Sequence, residues 1–239
     1  MPNVYELRKE WGACTRCGLH ETRKNLVFGL GNPSADILII GGEPGETENE
    51  TGIPFKGEAG EILNQFLDAV ELDREKDCFI TNVVCCRPTQ SVLDDRTKQE
   101  RVENRAPYKD EREACRPRLL ETIYCVDPLI IVAVGKVPAQ ALLSKGTKMA
   151  DQRGRVQTLH LAGRGIEIQY PVISMYNTAF LNRTHDKRPE GPWGKTMEDW
   201  VKVCNAVDYL REVYYGISKP QRGESNEGET KGKKGRKRR

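Results

Sequence analysis

The 239-residue sequence predicts an α/β sandwich built on a central four-stranded parallel sheet, and three observations carry that prediction. Four short apolar runs rich in β-branched residues stand at 35–41, 78–84, 128–135 and 171–176. Each has the continuous apolar character of a strand covered on both faces. Helical patterns at 58–72, 110–125, 136–145 and 196–216 lie between or after those runs, so strands and helices alternate as in right-handed βαβ crossovers. The chain is also long enough to bury one sizeable core without dividing in two.

Taken in order, the first run, Ala35-Asp36-Ile37-Leu38-Ile39-Ile40-Gly41, ends in a glycine-proline turn, Gly41 to Gly45, that lets backbone approach a ligand closely. The pattern opening at Glu58-Ala59-Gly60 gives the first helix, and the second run ends in Asn82-Val83-Val84-Cys85-Cys86-Arg87-Pro88. The third run, Pro128-Leu129-Ile130-Ile131-Val132-Ala133-Val134-Gly135, leads into a helix at 136–145, and the fourth leads into Tyr176 to Arg183. In such sheets the ligand sits beyond the carboxyl ends of the strands, so these four junctions are where a site is expected. Residues 89–105 are dense in charge and read as a loop or a short exposed helix, and 146–165 as a second loop. One domain, 1–217, with 89–105 as an insertion, is the expected organisation.

Residues 218–239 hold nine Lys or Arg against three Glu, a net +6; the whole chain carries +3, so residues 1–217 carry −3. This stretch, rich in Gly, Ser, Glu and Lys, reads as a disordered basic tail, because it cannot bury enough apolar surface to offset the entropy of ordering. A basic tail on a mildly acidic body fits a polyanionic partner such as nucleic acid, or a plain solubilising segment. No apolar run approaches the roughly 20 residues of a membrane span, and the start, Met1-Pro2-Asn3-Val4-Tyr5, lacks the pattern of a signal peptide. An intracellular, cytoplasmic monomer with no membrane association is expected.

In a reducing compartment the eight cysteines are read first for metal or cluster ligation. Cys14-Thr15-Arg16-Cys17 is a CxxC that brings two thiolates to one corner, and Cys86 and Cys115 come from segments able to meet it. Successive residues of a strand point to opposite faces, so only one of Cys85 and Cys86 should reach that site. Cys78, Cys125 and Cys204 read as packing residues. Four thiolates suit a structural zinc as well as a [4Fe–4S] cluster, and spacing does not choose between them.

Several linked motifs, in order and spacing, resemble the family-four uracil-DNA glycosylases over about residues 10 to 215. They are Cys14-x-x-Cys17-x-Leu19, Gly41-Gly42-Glu43-Pro44-Gly45, Thr51-Gly52-Ile53-Pro54-Phe55-Lys56-Gly57-Glu58-Ala59-Gly60, Asn82 to Pro88, Asn104-Arg105-Ala106-Pro107 and Cys115-Arg116-Pro117. The resemblance implies a three-layer α/β/α sandwich, a [4Fe–4S] cluster on Cys14, Cys17, Cys86 and Cys115, and uracil-containing DNA as partner. It implies that Phe55 stacks on an extruded uracil and that Asn82 reads the base, donating to O4 and accepting from N3–H. Gly42 and Gly45 belong to the turn that would approach the base.

Two segments depart from the family pattern. Where the family commonly carries Glu and then a small residue, this chain has Gly42 and then Glu43; related glycosylases place a water-positioning residue at that second site, which makes Glu43 the candidate. After the last strand the family usually shows a histidine, where this chain has Asn177 in Met175-Tyr176-Asn177-Thr178-Ala179-Phe180-Leu181-Asn182-Arg183. The expected chemistry is hydrolysis of an N-glycosidic bond: Asn177 and turn amides near Gly42 donate to uracil O2, and Glu43 orients water and favours the cationic sugar. Phe180 or Leu181 would wedge into the base stack and Arg183 would meet a phosphate. His20, His160 and His185 lie outside these segments. The competing readings are a binding module of the same fold without turnover, and a glycosylase for another altered base.

Overall fold

The computed structural model describes residues 3–94, 96, 98–143, 148–163 and 166–216; the basic tail predicted at 218–239 lies outside the described residues. In chain order the elements are α1 (Val4–Trp11), β1 (Leu30–Gly31), β2 (Ile37–Gly41), α2 (Glu46–Thr51), α3 (Glu58–Ala69), β3 (Cys78–Asn82), β4 (Thr89–Leu93) and β5 (Glu100–Asn104). They continue with α4 (Lys109–Val126), β6 (Ile130–Val134), α5 (Lys136–Leu142), α6 (Met149–Gln152), β7 (Val156–Gly163), β8 (Ile166–Met175), α7 (Thr178–Thr184) and α8 (Pro192–Tyr215).

The four predicted strands form the parallel centre of the main sheet, in the order β3-β2-β6-β8. That sheet is nevertheless six-stranded and mixed, because β1 pairs antiparallel with β3 at one edge and β7 with β8 at the other. The register sets Gly41 beside Asn82, so the turn after β2 and the residue ending β3 emerge together.

Strand alternation divides the core. Leu38, Ile40, Phe79, Ile131, Ala133 and Val172 face one cluster, which α1, α4 and α5 complete through Leu7, Leu119, Ile123 and Ala139. Ile37, Ile39, Ile80, Ile130, Val132 and Ile173 face the other, closed by Leu63 and Phe66 of α3, Leu181 of α7 and Trp200 and Val203 of α8. Helices therefore cover both faces of the sheet, which is the three-layer arrangement.

Two stretches differ from expectation. Residues 89–105, expected as a loop or exposed helix, form the antiparallel hairpin β4–β5, closed at its tip by Asp94 N–H donating to Gln99 O at 2.9 Å and Lys98 N–H to Asp94 O at 2.7 Å. Leu93 and Val102 are 58% and 61% exposed, so this ribbon has no buried face and leaves no apolar alternation for a sequence reading to find. The second expected loop, 146–165, contains α6 and β7; Leu159 and Leu161 are buried, a period-two signal only two residues long.

At the amino end, α1 is a short helix that the apolar pattern did not reveal. Its cap is explicit: Asn3 Oδ1 accepts from Tyr5 and Glu6 N–H, and Glu6 reaches back to Asn3 N–H. Trp11 Nε1 donates to Glu121 at 2.8 Å and fixes α1 against α4, which carries the CxxC that follows it toward the sheet.

Candidate active site and cysteine cavity

A cleft at the carboxyl ends of β2, β3 and β8 is lined by Gly42, Glu43, Pro44, Gly45, Phe55, Asn82 and Asn177. Its floor is glycine by necessity: a β-carbon on Gly41 would stand 2.3 Å from Asn82 Oδ1 and 2.7 Å from the Phe55 ring. Phe55 takes a left-handed backbone, φ 50°, which a non-glycine residue adopts only when its surroundings impose it. Here Arg74 imposes it, donating from Nη1 to Phe55 O at 3.0 Å and to Asn64 Oδ1 at 2.8 Å, while Gly60 leaves room for the Phe55 carbonyl that a β-carbon would fill.

The turn after β2 and the loop carrying Phe55 are joined by one carboxylate. Glu48, 8% exposed, accepts from Gly45 N–H on Oε2 at 2.9 Å and from Lys56 and Gly57 N–H on Oε1 at 2.9 Å each. The Gly45 amide is therefore occupied within the protein, so Gly45 serves the cleft as part of its wall rather than as a donor to a ligand.

Asn82 is 2% exposed at the end of β3, and its side-chain amide has no hydrogen-bond partner among the described residues. Asn177 caps α7: its Oδ1 accepts from Ala179 N–H at 2.7 Å. An amide oxygen fixed in a cap leaves Nδ2 as the free end, a donor on the cleft wall. Glu43 is half-buried, its Oε2 buried without a partner. Burial raises its carboxyl to about 7, because a desolvated carboxylate without a counter-ion favours its neutral form.

On the other side of β3, a second cavity is ringed by Cys14, Cys17, Cys85, Cys86 and Cys115, with Arg23 and Arg118 in its wall. Among the described residues, no group of three or more His, Cys, Asp or Glu is close enough to hold a single ion; the thiols instead surround a shared cavity. Arg23 Nη1 lies 3.5 Å from Cys86 Sγ and Arg118 Nη2 lies 3.9 Å from Cys115 Sγ. Two guanidiniums beside these sulfurs supply the positive charge that a thiolate-ligated cluster would need, so this donor set fits the [4Fe–4S] group. Within the buried Cys85–Cys115 pair, the hydrogen bond from Cys85 and then the Arg118 guanidinium draw the Cys115 thiol below its ordinary value, while burial pushes Cys85 up. The strand-alternation argument for choosing between Cys85 and Cys86 fails, because β3 ends at Asn82 and the backbone bends through 83–86; both thiols reach the cavity.

The uracil DNA glycosylase superfamily model matches residues 28–201. The type-4 uracil-DNA glycosylase of Saccharolobus solfataricus is 32% identical over 241 residues, covering 95% of this chain and 100% of the relative. The chain belongs to the type-4 uracil-DNA glycosylases. The type-4 enzyme of Pyrobaculum aerophilum is 35% identical over 190 residues, 80% of this chain and 88% of its own length. That of Thermotoga maritima is 41% identical over 177 residues, 73% of this chain and 82% of its own length.

Within this type-4 chain, Phe180 is 36% exposed and meets the Tyr176 ring at a tilt, centroids 5.6 Å apart, and Arg183 is exposed on α7. Leu181 is a correction: it is 2% exposed and packs beside Phe66 and Trp200. A side chain anchored in that core does not reach a base stack, because α7 turns Leu181 inward where it turns Phe180 out. His20, expected to be incidental, lines the cysteine cavity, with Nδ1 2.8 Å from Cys17 O.

Sequence reading missed Glu48 and Arg118, and it quoted Asn104 within a motif without giving it a role. Glu48 stands three residues after Gly45, the spacing of a capping carboxylate, and that signal was available. Asn104 reaches the cleft wall from the base of the hairpin, where it pairs with Thr89 and is held by Arg87 Nε at 2.6 Å. No helix of the described residues is long and apolar enough to cross a membrane.

Proposed function

We propose that this chain hydrolyses the N-glycosidic bond of uracil in DNA and leaves an abasic site, with the cleft between Phe55, Asn82 and Asn177 holding the extruded base. The observation that carries the reading is the convergence of an aromatic face, two unengaged amide ends and a buried carboxylate on one cleft. The Phe55 ring stacks on the flat base, and Asn82 donates to O4 and accepts from N3–H, a pattern that cytosine's amino edge would oppose.

As the bond from the sugar to N1 breaks, its electron pair passes to the uracil. Asn177 Nδ2 and the Gly42 N–H stabilise the negative charge that develops on O2. Water adds to the anomeric carbon, and Glu43 orients it, takes its proton and favours the cationic sugar. Phe180 fills the space the base vacates, and Arg183 meets a phosphate of the same strand.

Cys14, Cys17, Cys86 and Cys115 would hold the [4Fe–4S] cluster, which when bound supplies a structural clamp between the amino-terminal segment and the start of the hairpin. Brown colour and the visible absorption of thiolate-to-iron charge transfer, with iron and sulfide in the purified protein, test its presence.

The activity is tested with a uracil-containing oligonucleotide, scored for alkali-labile abasic sites beside a Glu43→Gln variant. Intact strands after incubation with cluster-loaded parent protein, single or duplex, would defeat the assignment.

A further inference from the structure

We propose that a cationic groove between α4 and α5 holds the phosphodiester backbone of the DNA strand next to the extruded base. Lys109, Arg112 and Arg116 line this groove with Glu113 and Gln140. The three cations stand at i, i+3 and i+7 of α4, which places them along one face of the helix. Among the described residues Glu113 is the only carboxylate lining the groove, and it lies 3.6 Å from Lys109 in a pair whose side chains are both mostly exposed. Arg116 spends Nη1 on Ala141 O at 3.0 Å and keeps its other nitrogens. The Arg112 side chain has no hydrogen-bond or ion-pair partner among the described residues. Residues 1–217 carry a net −3, so a groove with three cations to one carboxylate stands against the charge of the body around it.

Three covalent or packing links set the groove beside the cleft. Val83, in its wall, directly follows Asn82. Val137 stands 3.3 Å from where a Gly42 β-carbon would be, and Gln140 lies one turn further along α5. Asn104 lines the cleft and Lys109 opens α4 five residues later. A strand whose base enters the cleft must lay its neighbouring phosphates on the adjoining surface, and this surface offers guanidiniums in a concavity.

The inference rests on the glycosylase reading for the position of the strand, and its test separates the two. Binding of an undamaged oligonucleotide, lacking uracil, is measured against salt for the parent, for R112Q/R116Q, for R112K/R116K and for K76Q. Lys76 lies before β3, at the opposite end of the sheet, and makes K76Q a control for loss of one surface charge. Phosphate contacts release counterions, so the slope of log affinity against log salt falls by about 0.9 per lost contact on duplex DNA.

The double Gln variant is expected to lose between one and two such units and on the order of tenfold in affinity at low salt. R112K/R116K should recover most of the slope, and K76Q should match the parent. Unchanged slope and affinity in R112Q/R116Q, with melting temperature preserved, overturn the groove. A loss confined to uracil-containing DNA also overturns it, because phosphates carry no base information. Base release is scored on the same preparations: a parent that binds undamaged DNA through the groove but frees no uracil refutes the catalytic reading and leaves the groove standing.

Discussion

Arg118 Nη2 donates to the backbone carbonyl of Asn82 at 2.5 Å, and the same nitrogen stands 3.9 Å from Cys115 Sγ. One guanidinium, 1% exposed, thus touches both the residue proposed to read the base and a proposed cluster ligand. It also serves Val83 O and Thr81 Oγ1, each at 2.9 Å. Replacement by Met leaves those acceptors unpaired in the core and should cost about 3–5 kcal/mol of unfolding free energy, read by denaturant titration. Arg118→Lys should restore only part, since an ammonium does not reproduce the planar fork.

Base release should follow the ionisation of Glu43. Its carboxyl titrates at about 7, and only the ionised form takes a proton from water, so the single-turnover rate should climb as pH rises through about 7 and level above it. Glu43→Gln should flatten that limb and slow release on the order of a hundredfold or more. A parent rate independent of pH across this window would remove Glu43 from the mechanism.

The same carboxyl carries a stability cost of opposite sign. A group raised in the folded state contributes fully below its ordinary value of 4.5 and loses that contribution as pH climbs through about 7. Glu43→Gln should therefore be more stable than the parent above about pH 7, by on the order of 3 kcal/mol, and lose the advantage in acid. Paired melts at the two pH extremes check the sign.

Asn177 has two ends with two tasks, and substitution can separate them. Asn177→Asp keeps an oxygen for the Ala179 N–H but sets negative charge against the departing base. It should retain stability while losing on the order of 10²–10³ in rate. Asn177→Ala loses the cap as well and should melt lower, by about 1 kcal/mol. Equal rates in parent and Asn177→Asp would show that Nδ2 does not contact the base.

Gly41→Ala places a methyl group 2.3 Å from Asn82 Oδ1. The strand should persist with a loss of about 1–3 kcal/mol from overpacking, whereas affinity for uracil should fall sharply because Asn82 and Phe55 must both give way. Titration of free uracil into parent and variant measures the difference.

The sequence by itself determined the parallel centre of the sheet, because strands buried on both faces write continuous apolar runs such as Ile37 to Ile40. It also pointed to the cleft at one edge of the sheet, where the residues after those runs emerge together, and the linked motifs placed Phe55, Asn82 and the cysteines in order. Elements with no buried face left no such record: the β4–β5 hairpin alternates nothing apolar, and so passed for a loop. Orientation was likewise beyond it. Phe180 and Leu181 are neighbours of similar character, and only the pitch of α7 against Phe66 and Trp200 turns one outward and buries the other. Contacts between segments far apart in the chain were decided by packing alone, as with Arg118 beside Asn82 or Glu48 joining Gly45 to Gly57, because a buried polar group takes whichever partner the fold delivers.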